Sequence, residues 1–274
     1  MSRGQAYILL SVFFFSLMNV CVKMVAHLPV HEVILARSLV SLVACLIPLW
    51  RLGINPLGKE RRFLLMRGLA GFGSLSLYFF TLQRIPLATA VTLQYLAPLF
   101  TAVLSWKLLG EKVSYPRWGA FFVSLTGVAV ATNFDPRTSW TFALLGVASA
   151  LLAALAYYSI SKAKDSEHPL VIVLYFPLVA IPVTGLLCLR QFRWPSGADW
   201  LWLLLTGIFT QTAQVFMTRG YMEEKIGRAA GLKYSGVLFA LLWGFIIFHD
   251  TYHPGQIAGI IILILGTLGH IFFK

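Results

Sequence analysis

Charge is the scarcest feature of this 274-residue sequence. Only 12% of its residues are charged, with 10 Asp and Glu against 22 Lys and Arg, whereas 58% are hydrophobic. A soluble protein of this length would need a polar exterior that so few charged residues cannot provide. The mean hydropathy of +0.79 therefore excludes an ordinary soluble domain and indicates that a lipid bilayer surrounds most of the chain.

Cysteine pairs and nucleotide-binding signatures are also lacking. Cys21, Cys45 and Cys188 are far apart and form no CxxC motif, so the sequence predicts neither a disulfide framework nor a metal site. No GxxxxGK[ST] loop is present, which excludes ATP hydrolysis by this chain. The first hydrophobic stretch is too long for a signal-peptide core, and no small-residue cleavage site follows it. We expect no cofactor and no metal.

Hydrophobic runs of membrane-spanning length fill the sequence. An α-helix of about 20 apolar residues crosses about 30 Å of hydrocarbon. Ten such runs are separated by short turns that contain breakers such as Pro29, Pro169 and Pro254. No connection is long enough to fold separately, so we expect one domain over residues 1–274. The predicted spans are residues 5–26, 30–50, 63–83, 87–107, 118–132, 141–162, 170–189, 200–221, 229–248 and 256–273.

The basic residues are distributed unequally between the two sides of the membrane. If the N-terminus is cytoplasmic, 14 of the 22 Lys and Arg lie on the cytoplasmic side and only Arg84, Arg137, Arg190 and Arg193 lie on the other. This bias is the positive-inside pattern of membrane proteins. It predicts a multi-pass protein of the cell (inner) membrane with both termini in the cytoplasm. It also accounts for the net charge of +12 without a nucleic-acid partner.

The second half of the sequence repeats the first about 139 residues later. Each half contains five predicted spans, an odd number, so the halves must cross the membrane in opposite directions. We place repeat one at about residues 5–133 and repeat two at about 141–273. Inverted repeats are typical of secondary transporters, whose substrate site lies near the bilayer midplane. The matched residues include Lys23 with Lys162, Gly68 with Gly207, Leu93 with Leu232, Tyr95 with Tyr234, Phe100 with Phe239, Glu111 with Asp250 and Gly127 with Gly266.

A family resemblance rests on residues 92–131, TLQYLAPLFTAVLSWKLLGEKVSYPRWGAFFVSLTGVAVA, and on LKYSGVLFALLWGFIIFHD in the second half. The first stretch contains Pro98 in mid-span and then Glu111 at a span end, whereas Val237 stands where a second proline would match Pro98. Arg37, in ILARSLVSL, matches an arginine common in the second helix of the same family. These features resemble the EamA-type permeases of the drug/metabolite transporter superfamily. The resemblance covers essentially the whole chain. It implies an all-α integral membrane protein with ten transmembrane helices as two inverted five-helix repeats.

Several residues are expected to have structural roles. Glu111 and Asp250 follow span ends, where a carboxylate can tether a neighbouring turn. Pro98 is expected to bend its span. Small residues about two helical turns apart let helices approach closely. On this basis we expect packing roles for the glycines Gly119, Gly127, Gly259 and Gly266.

Polar groups at membrane depth are the candidates for substrate binding. A charge near the bilayer centre costs at least about 2.5–3.5 kcal/mol, so it usually faces protein or water and has a function. Gln94 and Lys233 are repeat partners, each beside a tyrosine, which favours a shared cavity. Arg67 is interpreted differently, because it lies near the cytoplasmic start of its span and could extend to the surface. The candidate substrate-binding residues are Asn19, Lys23, Arg37, Gln94, Tyr95, Tyr157, Tyr158, Gln211, Gln214, Lys233 and Tyr234.

The charges at membrane depth favour an anionic ligand. Lys23, Arg37 and Lys233 outnumber the single nearby acid, Glu32, which could instead form an ion pair with Arg37. Unbalanced Lys and Arg prefer a carboxylate, a phosphate or a zwitterion. We therefore predict a secondary transporter, a permease or exporter of a small amino-acid-like or nucleotide-like metabolite, acting by alternating access as a monomer or homodimer. No Asp or Glu lies deep in the membrane, which favours facilitated diffusion or exchange over proton coupling.

Two other interpretations stay open at this point. Residues 223–228, EEKIGR, fit the EExxxR motif of intramembrane CAAX-type proteases, and Phe245 to His249 fit FxxxH. A span of about 30 Å would separate Glu223 from His249, which opposes one catalytic centre. His249 and His253 could alternatively bind a metal at the outer surface, although a solvated turn is favoured. A receptor or scaffold that transports nothing would instead have a closed, fully self-paired polar core.

Overall fold

The computed structural model describes residues 2–109, 114–133, 139–224 and 232–272. Within those ranges the chain forms eleven α-helices and no strands. A π-helical turn, Ser105–Leu109, and a 3-10 turn, Lys233–Ser235, extend two of the membrane spans. The helices are α1 (Arg3–Met24), α2 (Val30–Arg51), α3 (Arg61–Leu82), α4 (Leu87–Gln94), α5 (Leu96–Leu104), α6 (Tyr115–Asn133), α7 (Trp140–Ala163), α8 (Pro169–Cys188), α9 (Asp199–Glu223), α10 (Gly236–Phe248) and α11 (Pro254–Phe272).

These helices supply ten membrane spans in the part of the chain that is described. Seven segments are long and apolar enough to cross a bilayer, and three shorter apolar stretches lie in α6, α10 and α11. One of the seven segments, Thr89–Leu108, runs through α4 and α5. The prediction of an all-helical protein with ten spans in two repeats is confirmed.

Local sequence signals explain where the spans begin. The Ser2 hydroxyl accepts a hydrogen bond from the backbone N–H of Gln5 at 3.2 Å, and the Gln5 side chain accepts one from the N–H of Ser2 at 2.9 Å. This reciprocal capping box satisfies two N–H groups that lack helical partners at the start of α1. Pro29 and Pro86 directly precede α2 and α4, and Pro169 is the first residue of α8. Proline is favoured there because its fixed φ suits the first helical turn, whose N–H groups have no partner within the helix.

The fourth and ninth spans are both interrupted, and at equivalent positions. Helix α4 ends at Gln94 and α5 resumes at Leu96, whereas the 3-10 turn that contains Lys233 precedes α10. Pro98 has no N–H to donate to the carbonyl of Gln94, so the first copy cannot continue as a regular helix. The second copy has Val237 at the matching position and is interrupted nevertheless. Discontinuous spans in the two halves are the usual place for a transporter's binding site.

The helix pairs that pack together are equivalent when the first repeat is exchanged for the second. Helix α1 packs along α9, and its repeat equivalent α7 packs along α3. Helix α2 packs on α8, and α6 packs on α11; these two pairs map onto themselves when the halves are exchanged. The contacts are therefore those of two repeats related by a pseudo-two-fold axis.

Glycine allows the closest of these helix contacts. A Cβ added at Gly127 would lie 2.4 Å from the backbone nitrogen of Leu263, and one at Gly259 would lie 2.3 Å from that of Ala131. Gly266 similarly faces the backbone of Ser124 at 2.6 Å. The expectation for Gly119 was wrong, because Gly119 is exposed and no atom lies within 4 Å of the Cβ position. Regular spacing identified the small residues but not which side of α6 faces α11.

Buried carboxylates hold loops at both ends of the helix bundle. At the end with the N-terminus, Glu167 accepts hydrogen bonds from the backbone N–H groups of Lys59 and, at 2.6 Å, Glu60. At the opposite end, Glu32 accepts from the backbone N–H of Arg193 at 2.6 Å. In each case a carboxylate of one repeat binds the backbone of a loop from the other repeat.

The two acidic residues predicted to tether turns can be only partly described. Asp250 follows α10 and donates its backbone N–H to the carbonyl of Gly244 at 3.0 Å. Its repeat partner Glu111 lies outside the described residues. The tethering role of both stays a prediction.

Candidate functional site

An internal cavity lies between the two repeats, beside the two interrupted spans. Its volume is about 130 Å³, which is space for roughly ten water molecules or one small organic molecule. Helices α1, α3, α4 and the start of α5 line it from the first repeat, and α7, α9, the Lys233 turn and the start of α10 line it from the second. The lining is Val12, Phe15, Ser16, Met18, Asn19, Arg67, Gly71, Ser74, Leu75, Tyr78, Val91, Gln94, Tyr95, Ala97, Ala153, Ala156, Tyr157, Gln214, Met217, Lys233 and Gly236.

The two helix interruptions meet at this cavity. Gln94 and Lys233, which are repeat partners, both line it. Tyr95 of the first interruption packs against Gly236, the residue that follows the second, where an added Cβ would lie 1.9 Å from the tyrosine hydroxyl. A side chain at position 236 would have to displace that hydroxyl, so glycine there favours the close approach of the two breaks.

Lys233 has neutral neighbours. Its Nζ donates to the hydroxyl of Tyr157 at 2.5 Å and to the sulfur of Met217 at 3.6 Å. The same ammonium lies 4.0 Å from the centre of the Tyr157 ring and 5.8 Å from that of Phe15. Aromatic faces attract a cation but do not neutralise it. Lys233 therefore brings a net positive charge to the wall of the cavity.

Arg67 also lines the cavity, which corrects our sequence interpretation. It does not extend to the membrane surface: only 3% of it is exposed, and its Nη2 donates to Oε1 of Gln214 at 2.8 Å. Gly71 lies one turn further along α3, and a Cβ there would be 2.2 Å from Nη1 of Arg67. Because Gly71 has no side chain, the guanidinium can occupy this space and turn inward.

Two serine residues that the sequence did not suggest, Ser16 and Ser74, line the cavity, and a third, Ser149, lies behind its wall. The Ser149 hydroxyl lies 2.7 Å from the carbonyl oxygen of Ser74 and 2.8 Å from Oε1 of Gln94. Ser16, on α1, accepts a hydrogen bond from the indole N–H of Trp243 at 3.0 Å. Asn19 is buried one turn beyond Ser16, and its Oδ1 has no hydrogen-bond partner within the described structure. An unpaired buried amide oxygen is costly unless a ligand or water supplies a donor.

Four of the predicted binding residues lie away from the cavity lining. Lys23 donates to the carbonyl of Ile85 at 3.2 Å, and Gln211 donates to Sγ of Cys45 at 3.1 Å. Arg37 is stacked 4.4 Å from the ring centre of Phe176, and Tyr158 lies beneath the ammonium of Lys162. The cavity thus includes six of the eleven predicted residues: Asn19, Gln94, Tyr95, Tyr157, Gln214 and Lys233. The side chain of Tyr234 lies outside the described part of the structure.

The suggested ion pair between Glu32 and Arg37 is not formed. Glu32 instead accepts from the backbone of Arg193. The ion pair found among the described residues is His27 with Asp199, at 3.1 Å. No carboxylate lines the cavity, so its charged groups within the described ranges are Arg67 and Lys233. A site of this kind can bind and orient an anion, but it contains no acid–base pair for catalysis.

The residues of the alternative interpretations lie at opposite ends of the bundle. Glu223 and Glu224 end α9 near the N-terminus, where Ser2 donates its hydroxyl to Glu224. His249 follows α10 at the other end, and Arg228 lies outside the described residues. Among the described residues no group of three or more His, Cys, Asp or Glu could hold a metal ion.

Known proteins resemble this chain over nearly its full length. The pseudopaline exporter CntI of Pseudomonas aeruginosa is 29% identical over 273 residues, which cover 98% of this chain and 95% of that protein. Solute carrier family 35 member G1 of Mus musculus is 27% identical over 97% of this chain and 77% of its own length. A solved crystal structure superposes with a TM-score of 0.82 at 16% identity, covering 98% of this chain and 96% of that chain, and so has the same fold.

The EamA-like transporter family matches the sequence twice, at residues 2–133 and 140–272. The two matches correspond to the two repeats, and together they confirm the resemblance inferred from the sequence. EamA-like proteins are transporters and not enzymes, so the protease interpretation is rejected. This chain is a multi-pass membrane protein and belongs to the EamA-like transporter family.

Proposed function

We propose that this protein is a secondary transporter that moves a small organic metabolite with an anionic group through the cavity between its repeats. The observation that carries the proposal is the position of the cavity: both halves of the chain line it, and the break in each of the two interrupted spans lies beside it. Sites at such interruptions are exposed to each side of the membrane in turn when two repeats rock against each other. The substrate site is therefore the lining around Gln94, Tyr157 and Lys233.

The chemistry of the lining supports an anionic or zwitterionic, amino-acid-like or nucleotide-like substrate. Lys233 and Arg67 supply positive charge, and no acid of the described residues balances them inside the cavity. Phe15, Tyr78 and Tyr95 supply aromatic surface for the apolar part of a metabolite. The Pseudomonas relative is a pseudopaline exporter, which favours export as the direction of transport.

Topology and coupling complete the proposal. The positive-inside bias supports a single transporter domain in the inner membrane with both termini in the cytoplasm. Among the residues that the structure describes, no carboxylate that could relay protons lines the cavity, which favours facilitated diffusion or exchange. The transporter acts as a monomer or homodimer.

Reconstitution tests the proposal directly. Purified protein is reconstituted into liposomes that are loaded with a mixture of anionic, zwitterionic and cationic metabolites, and the efflux of each metabolite is followed by mass spectrometry. The test variant is Lys233→Met. Its matched control is Lys162→Met, because Lys162 is exposed near the end of α7 and does not line the cavity.

We expect the wild-type protein to release one or more anions, the Lys233→Met variant to lose this efflux and the Lys162→Met variant to keep it. Anion efflux that is equal in both variants and in the wild type would contradict the proposed site. No efflux of any solute, together with intact folded protein, would instead favour a receptor or scaffold.

A further inference from the structure

Two cations from opposite repeats face the same cavity. Arg67 comes from α3 of the first repeat, and Lys233 comes from the turn before α10 of the second. Lys233 donates to the hydroxyl of Tyr157, and Arg67 donates to Gln214; both acceptors also line the cavity. The two positive charges therefore face one cavity of about 130 Å³ from opposite repeats.

No acidic side chain of the described residues forms an ion pair with either cation. Arg67 donates to the neutral amide of Gln214, and its Nε has no hydrogen-bond partner within the described structure. A buried guanidinium that lacks an anion is strongly disfavoured, and its unused donors make the cost greater. An anion from outside the chain would relieve both penalties.

A third cation increases the positive potential behind the wall. Arg37 is only 1% exposed and lies close enough to Arg67 for their charges to interact. Its visible neighbours are the rings of Phe176 and Phe79, and its Nε and Nη1 have no hydrogen-bond partner among the described residues. Arg37 does not line the cavity, but its charge adds to the field at Arg67.

The acidic residues that the structure describes lie elsewhere. The eight that the structure describes are found in loops or near helix ends, and none of them lines the cavity. Glu32 and Glu167 accept hydrogen bonds from loop backbone at opposite ends of the bundle. A ligand with one negative charge would therefore leave at least one cation of the wall without a counter-charge.

We propose that the substrate is a dianion, held by Arg67 and Lys233 together. This inference rests on the proposed transport function and narrows it: a zwitterion or monoanion matches the wall less well than two negative charges do. Because both cations line the same small cavity, two chemistries fit: a single doubly charged group such as a phosphate monoester, or a pair of neighbouring carboxylates. Arg67 is a specificity-determining residue in either case.

The test measures binding of small aromatic probes that differ in charge. Phenyl phosphate and phenylsuccinate are the dianions, 3-phenylpropionate is the monoanion, phenylalanine the zwitterion and phenethylamine the cation. Affinities to purified protein in nanodiscs are measured by isothermal titration calorimetry. The variants are Arg67→Gln and Lys233→Met, with Arg84→Gln as the matched control, because Arg84 is exposed at the membrane surface and lies outside the cavity.

We expect at least one dianion to bind about tenfold or more tightly than 3-phenylpropionate, since one additional charge-assisted hydrogen bond changes an equilibrium constant by at least about that factor. This preference should fall to about parity in Arg67→Gln and in Lys233→Met and persist in Arg84→Gln. Tighter binding of phenyl phosphate or of phenylsuccinate identifies which dianion chemistry applies. If a variant does not fold, the wild-type ranking decides alone.

Equal binding of monoanion and dianion by the wild type would overturn the dianion inference, as would a dianion preference that both cavity variants retain. Failure of every probe to bind would also overturn it, because two charges should suffice to bind simple dianions. None of these results affects the proposed transport function, which fails separately if proteoliposomes release no anion.

Discussion

A single methyl group at Gly71 should impair substrate binding at only a small cost in stability. In the Gly71→Ala variant the new Cβ would lie 2.2 Å from Nη1 of Arg67. Ordinary contact distances begin at about 3.5 Å, so the guanidinium must move by roughly 1.3 Å. It is the far end of a flexible side chain, and it can move without displacing the helix backbone.

The displacement has a defined cost for binding. Arg67 donates to Gln214 over 2.8 Å, and a shift of that size breaks this bond and turns the remaining donors away from the cavity. The substrate then loses one hydrogen bond from a charged donor, which contributes about 1.5–3 kcal/mol, so we expect its affinity to fall about 10- to 100-fold. Loss of the bond to Gln214 also costs stability, and alanine, which favours a helix interior over glycine by about 0.5–1 kcal/mol, offsets only part of that cost, so the melting temperature should fall by a few degrees.

Gly73→Ala is the matched control on the same helix. Its Cβ would lie 3.1 Å from a terminal methyl group of Leu152, which can rotate away, and Gly73 does not line the cavity. The assay compares the concentration dependence of anion efflux from proteoliposomes for the wild type and both variants, with melting temperatures measured on the same samples. Wild-type transport by Gly71→Ala would refute the role of Arg67. Equal loss in both variants would assign the effect to the helix and not to the guanidinium.

Three further predictions concern stability, and each is read as a melting temperature of detergent-purified protein. Gly127→Ala should destabilise the protein by about 1–3 kcal/mol, because its Cβ meets the backbone of α11 and overpacking has that cost. Gly119→Ala should leave the stability unchanged, because the new Cβ has open space around it. Equal melting temperatures of the two variants would contradict this packing. Glu167→Ala leaves the N–H groups of Lys59 and Glu60 without their acceptor, so it should lower the melting temperature by several degrees. Asp165→Ala, an exposed acid of the same loop, should have no effect, and similar shifts would rule out this role of Glu167. Burial, and then the charge of Arg219, lower the pKa of His168, whose neutral Nδ1 accepts a hydrogen bond from the N–H of Leu170 at 3.3 Å. Because the unfolded chain binds the proton more readily than the folded protein, stability should fall as the pH drops below about 6.5. The His168→Asn variant should lose part of this pH dependence while it keeps the helix cap. A variant with an unchanged pH profile would contradict that assignment.

The sequence predicted the architecture because its signals are one-dimensional. Span length, prolines at turns and matched residues such as Gln94 and Lys233 can all be counted along the chain, and they led to the ten-helix, two-repeat fold. The repeat partners at the two interruptions were also expected to share a cavity, and the structure places both in its lining.

The errors arise where the direction of a side chain decides its role. Depth along the span placed Arg67 near the surface, but depth does not give the side of the helix that a residue occupies. Arg67, Gly71, Ser74 and Tyr78 follow one another at steps of four, three and four residues, which is one face of α3, and all four line the cavity. That polar stripe was a readable signal. Arg37 is the converse case: its burial was predictable, but its contact with Phe176 depends on how α8 packs against α2.

The proposed alternating access places different demands on the two kinds of helix pair. The pairs α2 with α8 and α6 with α11 map onto themselves when the repeats are exchanged, so a rocking motion can use them as an axis. The pairs α1 with α9 and α3 with α7 map onto each other, so separating one pair at one end of the bundle corresponds to closing the other at the opposite end. Opening toward the N-terminal end would also have to break the contact of Glu167 with the Lys59 loop, whereas opening toward the other end would break that of Glu32 with Arg193. Because Arg67 lies on α3 and Lys233 precedes α10, any relative motion of the repeats changes the separation of the two cations. A dianion that bridges them would therefore stabilise one arrangement of the repeats over the others.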